Sequence, residues 1–302
     1  MLQRDTAARL AHSSTSIEGN PLTLPEVEAL VRGEEIASPQ LAKQEVLNYL
    51  EAMRWMWSQK GPRRFTESHV LRLHSLLTQG TLSVHQVGRY KNRQNRVVDA
   101  KGRTIYTPPL PDQVKPLTND LLGWINSPSS QVLHPILVSA VAHHRLVSIH
   151  PFSDGNGRAA RALAIWVLAA RGFDTHHLCA LDEFFEQDRP RYYRTIQQAR
   201  ELDDDLTHWL EYVGEGVVTT LRRTKERIFS LQVKWVGEKI LLTKRQEDVL
   251  RFLRDRGRVK SPDFERAFGC SRARVGQILK PLVDHGLVVR EGRTRATTYR
   301  LA

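Results

Sequence analysis

The sequence predicts a mainly α-helical chain with one small β-hairpin and a C-terminal domain of its own. Three observations carry that reading. Apolar residues recur at helical spacing, as in Leu41, Val46, Leu47, Leu50 and Met53, or Val138, Val141, Ala142, Leu146 and Ile149. Strand-like pieces are short and confined to residues near 97–106 and to the last fifteen or so residues. Charge is segregated: residues 1–221 hold 24 basic and 24 acidic side chains, whereas residues 222–302 hold 21 basic and 9 acidic and so carry the whole net charge of +12. A chain of 302 residues divides naturally into an N-terminal segment (1–38), a helical core (39–221), a linker (222–240) and a basic domain (241–302).

The elements follow in order. Residues 5–20 read as a short helix that Gly19 and Pro21 stop. A second helix spans 40–58, with Trp55 and Trp57 as packing residues, and Thr66-Glu67-Ser68 starts a third over 70–77. Gly88-Arg89-Tyr90 opens a less helical stretch in which Val97-Val98, a turn at 99–102, and Thr104-Ile105-Tyr106 form the hairpin that Pro108 and Pro109 end. A helix over 112–126, a loop at 127–130 and helices over 138–149 and 159–171 follow, the last stopped by Gly172. Helices over 182–187, 189–200 and 206–221 complete the core, Asp203 to Asp205 favouring the start of the last one. Residues 222–238 are a charged linker or a long helix.

In the basic domain, Thr243 and Gln246 form a capping-box pattern at the head of a helix over 243–256. Ser261-Pro262 starts another over 261–268, and a third runs over 271–285 to Gly286. Residues 287–290 and 297–301 flank Glu291-Gly292-Arg293 as a hairpin. Three helices followed by a hairpin is the winged helix-turn-helix order, which puts Ser271, Arg272, Arg274 and Gln277 early on a recognition helix and Arg293 and Arg295 on the wing. With the excess of basic charge this makes DNA a candidate partner. Nothing near Met1 resembles a signal peptide, no apolar run reaches membrane-spanning length, and Cys179 and Cys270 read as reduced thiols, so a cytoplasmic protein without membrane contact is expected.

The chemistry concentrates in residues 150–161, His-Pro-Phe-Ser-Asp-Gly-Asn-Gly-Arg-Ala-Ala-Arg, between two helices. Gly155 and Gly157 let an anion approach the backbone at a helix N-terminus, where N–H groups and the helix dipole favour negative charge. Asn156 can donate a further hydrogen bond, and Arg158 and Arg161, three apart, each suit phosphate. Asp154 is a hard oxygen ligand for a magnesium ion bridging phosphates, and His150 can accept a proton near neutral pH. The pattern is neither a Walker loop nor an EF-hand, and His143 and His144 lack zincin-spaced partners, so a structural role is expected of them.

Residues 150–161 resemble the signature of the Fic family, His-x-Phe-x-Asp/Glu-Gly-Asn-Gly-Arg-x-x-Arg, at every fixed position, and similarity to the family core extends over 88–213. The resemblance implies a Fic helical core whose hairpin is a flap for the target's backbone, ATP and magnesium as substrate and cofactor, and transfer of AMP to a Ser, Thr or Tyr hydroxyl of a target protein. It implies His150 as the base and Asp154 as the metal ligand. Gly155, Asn156, Gly157 and Arg158 would hold phosphates, Arg161 would pair with the γ-phosphate, and Phe152 would anchor the loop. Gly157 is intact, whereas a phosphorylating branch departs there, and Tyr193 would lie near the adenine. Ser14-Thr15-Ser16-Ile17-Glu18-Gly19-Asn20 resembles the family's inhibitory motif, which implies that Glu18 pairs with Arg161 in place of the γ-phosphate. Homodimer formation is a further expectation. Two other readings stay open: transfer of a different phosphate-containing group or removal of AMP at the same site, and a DNA-binding regulator that senses nucleotide.

Overall fold

The computed structural model describes residues 2–59, 64–99, 101–173, 176–235, 243–284, 286–292 and 297–301. It divides into two compact units, Met1–Lys225 and Glu226–Ala302. The first runs α1 (Leu2–Ile17), α2 (Leu24–Arg32), α3 (Gln40–Ser58), α4 (Glu67–Thr78), β1 (Val97–Val98), β2 (Thr104–Tyr106), α5 (Pro111–Ile125), α6 (Pro128–Gln131), α7 (Pro135–Ile149), α8 (Asn156–Ala170), α9 (Asp182–Gln187), α10 (Arg189–Glu201) and α11 (Thr207–Trp235).

The paired helices α7 and α8 form the centre. Ala159, Ala160, Ala162, Leu163 and Val167 are all fully buried, so α8 is apolar nearly all round, as a helix enclosed by others must be. Its alanines let neighbours approach closely, and Trp166 packs edge-on against Trp55 (4.8 Å) and Phe65 (5.2 Å), the packing role expected of Trp55. The N-terminal helix α1 is part of this core rather than an appendage: Leu10, Ala11, Ser14 and Ile17 are at most 1% exposed. His143 and His144 serve structure, His143 Nε2 meeting Tyr192 OH at 3.0 Å and His144 Nε2 meeting the Ile196 carbonyl at 3.2 Å.

Four local features depart from the sequence reading. Helix α2 was not expected, although Thr23 N–H donates to Glu26 Oε2 (2.8 Å) in a capping interaction visible in the residue types. The 127–130 loop contains the short helix α6. Helix α1 begins at Leu2 and ends at Ile17, so Glu18 and Gly19 form the turn that follows it. Helix α11 runs on to Trp235, so of the two readings of 222–238 the long helix holds through Trp235, continuous with the helix expected to end at 221, and the unit boundary falls inside it. The expected hairpin forms, with Val97 opposite Tyr106 and Val98 opposite Thr104.

The second unit contains α12 (Lys244–Arg256), β3 (Arg258–Lys260), α13 (Ser261–Phe268), α14 (Arg272–Asp284), β4 (Val288–Glu291) and β5 (Thr298–Leu301). The expected capping box forms, Gln246 N–H reaching Thr243 Oγ1 at 3.3 Å and Thr243 N–H reaching Gln246 Oε1 at 2.8 Å. The hairpin gains a third strand, in the order β3-β5-β4, because Arg258–Lys260 pairs with Arg300–Thr298. Val249, Leu253, Phe264, Leu279, Leu282 and Val288 make a core of its own.

Candidate active site

The turn between α7 and α8 is held by short-range bonds that its sequence supplies. His150 caps α7 in the left-handed conformation (φ 50°), its N–H bonded to the Leu146 carbonyl at 3.0 Å. Its Nδ1 lies 3.2 Å from the Val147 carbonyl, an acceptor only, so the ring proton sits on Nδ1 and Nε2 carries the free lone pair. Burial holds the imidazole pKa down to about 4, helped by the positive charges of Lys91 and Arg200 and opposed by the Val147 bond and Glu18. His150 is therefore a neutral acceptor at physiological pH.

Phe152, fully buried, anchors the loop by stacking on His74 at 3.7 Å. His74 Nδ1 accepts from Gly88 N–H (3.0 Å), so its Nε2–H donates to the Asp154 carbonyl (3.0 Å). Asn156 brackets the Phe152 backbone, accepting its N–H at 2.8 Å and donating to its carbonyl at 2.9 Å. Through these two bonds the buried Asn156 side chain shapes the loop. Asn95, itself held by Lys91 Nζ at 2.8 Å, donates to the same carbonyl at 3.0 Å.

Gly155, with φ 76°, turns the chain into α8. The first helical bond there runs from Ala159 N–H to the Gly155 carbonyl (2.9 Å), so the N–H groups of Asn156, Gly157 and Arg158 stand outside the helical ladder. A Cβ on Gly157 would overlap the Glu18 carboxylate, so the missing side chain leaves room for an anionic group. The Asp154 carboxylate is largely exposed, 3.6 Å from Arg158 Nη2. Arg158 is buried and also meets Glu45 Oε1 at 3.3 Å, while Glu45 Oε2 accepts from Asn20 Nδ2 at 2.8 Å.

Arg161 is the most enclosed charge of the site. Its Nη2 pairs with Glu18 Oε1 at 2.6 Å and donates to the Ser14 carbonyl at 2.8 Å, and its Nε donates to Ser14 Oγ at 2.9 Å. Nη1 donates to Tyr192 OH at 3.3 Å, and the buried Asp182 lies 3.9 Å from Nε while accepting from Tyr49 OH at 3.0 Å. Ser14 and Glu18 thus converge on Arg161. Tyr193 lies at the same place, donating to the Ile17 carbonyl at 3.2 Å beside Arg189, which reaches the same oxygen. Tyr192, Asp182 and Glu45 were not singled out from sequence; a buried tyrosine or acid carries no local signature, and the neighbouring Tyr193 drew the assignment.

Beside the loop, Tyr106 of β2 borders a cavity of about 540 Å3 with Leu117, Leu121, Trp124 and Ile149. Among the described residues no group of three or more His, Cys, Asp or Glu forms a metal cluster. In the second unit Arg272, Arg274 and Gln277 are exposed on α14, with Arg274 Nη1 donating to Gln277 Oε1 at 2.9 Å; Arg293 and Arg295 lie outside the described residues.

Residues 64–168 match the profile of the Fic/DOC family. The chain is 34% identical over 216 residues to "Protein adenylyltransferase Fic" of Nematostella vectensis, covering 70% of this chain and 47% of that protein. It is 27% identical over 227 residues to "Protein adenylyltransferase fic-1" of Caenorhabditis elegans, covering 74% and 42%. The chain thus spans less than half the length of these relatives. Among solved structures, a Fic family protein from Desulfovibrio desulfuricans matches 99% of this chain and 87% of its own with a TM-score of 0.73 at 24% identity, a likeness of fold. Fic-1 of C. elegans matches 74% of this chain and 63% of its own with a TM-score of 0.59 at 26% identity.

Proposed function

This chain belongs to the Fic/DOC family, and from that premise we propose that it transfers AMP from ATP to a hydroxyl side chain of a target protein, restrained by its own Glu18. One observation carries the reading: a neutral base at one end of the 150–161 loop, α8 backbone N–H groups at the other, and Arg161 engaged by Glu18. The target oxygen gives its proton to His150 Nε2 and bonds the α-phosphorus, and the bond to the departing pyrophosphate breaks. The N–H groups of α8 and Arg158 meet the phosphate oxygens. Arg161 takes the γ-phosphate once Glu18 withdraws; because α1 is core, release asks only the Glu18 side chain to swing. Tyr193 contributes at the nucleotide's edge.

A single exposed carboxylate, Asp154, suits magnesium, which in nucleotide sites keeps waters and phosphates as its other ligands. Such an ion would screen phosphate charge. The flap edge, β1 and β2, offers strand pairing to the target backbone. For the second unit the proposal is a winged helix-turn-helix that binds DNA through Arg272, Arg274 and Gln277, supported by the element order and the basic excess after residue 221. Cys179 and Cys270, far apart in the sequence, suit a reducing compartment, and no helix among the described residues is long and apolar enough to cross a membrane.

The test compares wild type, Glu18→Gly and Glu18→Gly/His150→Ala with ATP labelled at the α- or γ-phosphate. Label from the α-position alone, strongest in Glu18→Gly and absent from the double variant, is the expected result. Transfer of γ-label would make the protein a kinase, and transfer of neither would remove the proposal.

A further inference from the structure

The last turn of α7 carries more restraint than capping a helix requires. A helix end leaves its final carbonyls without helical partners. Here the Leu146 carbonyl receives His150 N–H, and the Val147 carbonyl receives both His150 Nδ1 (3.2 Å) and Arg200 Nη2 (3.1 Å). The Ser148 carbonyl receives Tyr106 OH at 2.9 Å, and Ser148 Oγ receives Arg200 Nε at 3.0 Å. The Arg200 guanidinium lies 3.8 Å from the centroid of the Tyr106 ring. The flap, α10 and the catalytic histidine therefore all fasten to one turn, and Arg200 and His150 share one acceptor.

We infer that Arg200, braced on Tyr106, is a positioning residue for His150. By fixing the direction of the Val147 carbonyl it keeps the imidazole proton on Nδ1, which leaves Nε2 to accept from the target. Its charge also bears on the base. The charged groups that act on His150 are Lys91 from the loop before β1, Arg200 from α10 and Glu18 from the end of α1. Burial is the main cause of the low imidazole pKa, and Arg200 is one of the two cations that add to it. Planarity matters as well as charge: a lysine could supply the positive charge but neither the planar stack on Tyr106 nor the fixed fork that reaches the Val147 carbonyl and Ser148 Oγ together.

The kinetic part of this inference rests on the AMP-transfer reading; the titration part does not. The full chain carrying Glu18→Gly serves as parent for Arg200→Ala, Arg200→Lys and Tyr106→Phe. In Arg200→Ala, kcat should fall about tenfold to a hundredfold, as small misplacements of reacting groups do, with the KM for ATP within about twofold of the parent. The acid limb of its pH–rate profile and the His150 imidazole titration, followed by NMR, should both move to higher pH. Arg200→Lys should lose kcat while keeping the parent titration. Tyr106→Phe retains the ring stack and loses one hydrogen bond, so a severalfold loss of kcat with unchanged titration is expected.

A raised KM for ATP with unchanged kcat would make Arg200 a nucleotide contact and overturn the inference. So would an Arg200→Ala titration that superimposes on the parent, or a kcat loss that merely tracks a fall in Tm across all three variants. If Arg200→Ala fails to fold, the two conservative variants still decide. If the parent transfers no AMP, that reading fails, and the NMR titration of His150 still decides the positioning role.

Discussion

In the proposed mechanism Glu18 holds the place of the incoming γ-phosphate on Arg161, and Glu18→Gly removes it. The size of the effect follows from the pair's surroundings. Breaking a fully buried ion pair costs about 3–5 kcal/mol. Glu18 is a third exposed, and Arg161 keeps Asp182 at 3.9 Å and its bonds to Ser14 and Tyr192, so about 2 kcal/mol is the better figure. ATP must displace that interaction to place its γ-phosphate on Arg161, and 2 kcal/mol corresponds to roughly a 30-fold gain in productive binding once Glu18 is gone. The assay is the initial rate of α-label transfer at subsaturating ATP, with Glu18→Gln alongside to separate loss of charge from loss of side chain. The gain should depend on Arg161: Glu18→Gly/Arg161→Ala should be no faster than Arg161→Ala alone. A Glu18→Gly rate within twofold of wild type would refute the reasoning, as would a gain that survives removal of Arg161.

Three further outcomes are expected. Gly157→Ala places a methyl group against the Glu18 carboxylate and crowds Arg161, so it should loosen the inhibitory pair yet lower transfer at least tenfold in both wild-type and Glu18→Gly backgrounds, because the same space receives phosphate. His74, His144 and His150 have folded pKa values near 4 against 6.5 unfolded, and burial holds His143 well below 6.5 too, so the unfolded chain binds the extra protons; their effect vanishes only well above pH 6.5, and stability falls as pH drops toward 4, with a slope of at least about 4 kcal/mol per pH unit around pH 5. Denaturant melts between pH 5 and 7 measure that slope, and a flat profile would contradict the burial of these rings. Arg272→Ala/Arg274→Ala should weaken DNA binding and reduce the slope of log K against log salt by about one for each arginine that meets a phosphate; an unchanged slope in a salt titration would remove α14 from the interface.

What could be read in advance divides along the range of the interactions. Thr243 and Gln246, the glycines at 155 and 157 and the apolar spacing of α7 and α8 act over four residues or fewer, and each formed as its sequence implied. The same local signal stands at Thr23 and Glu26, at the head of α2. Strand β3 has no such signal: three residues, two of them basic, are strand only because β5 pairs with them. Asn156 shows the limit within the motif itself, since its residue type allowed a phosphate donor, and only the folded loop directed both ends of its amide to Phe152.

By itself the sequence determined a helix–loop–helix bearing His150, Asp154 and two arginines, a helical core and a basic unit after it, because periodicity, capping and glycine conformations are properties of neighbouring residues. The partners of those groups were decided by tertiary structure alone. Arg158 meets Glu45 from 113 positions away, Arg161 meets Ser14 and Glu18 across 147 and 143, and Arg200 meets Val147 across 53. Such contacts form when helices pack, and the desolvation of each buried charge then dictates which distant side chain must be there to receive it.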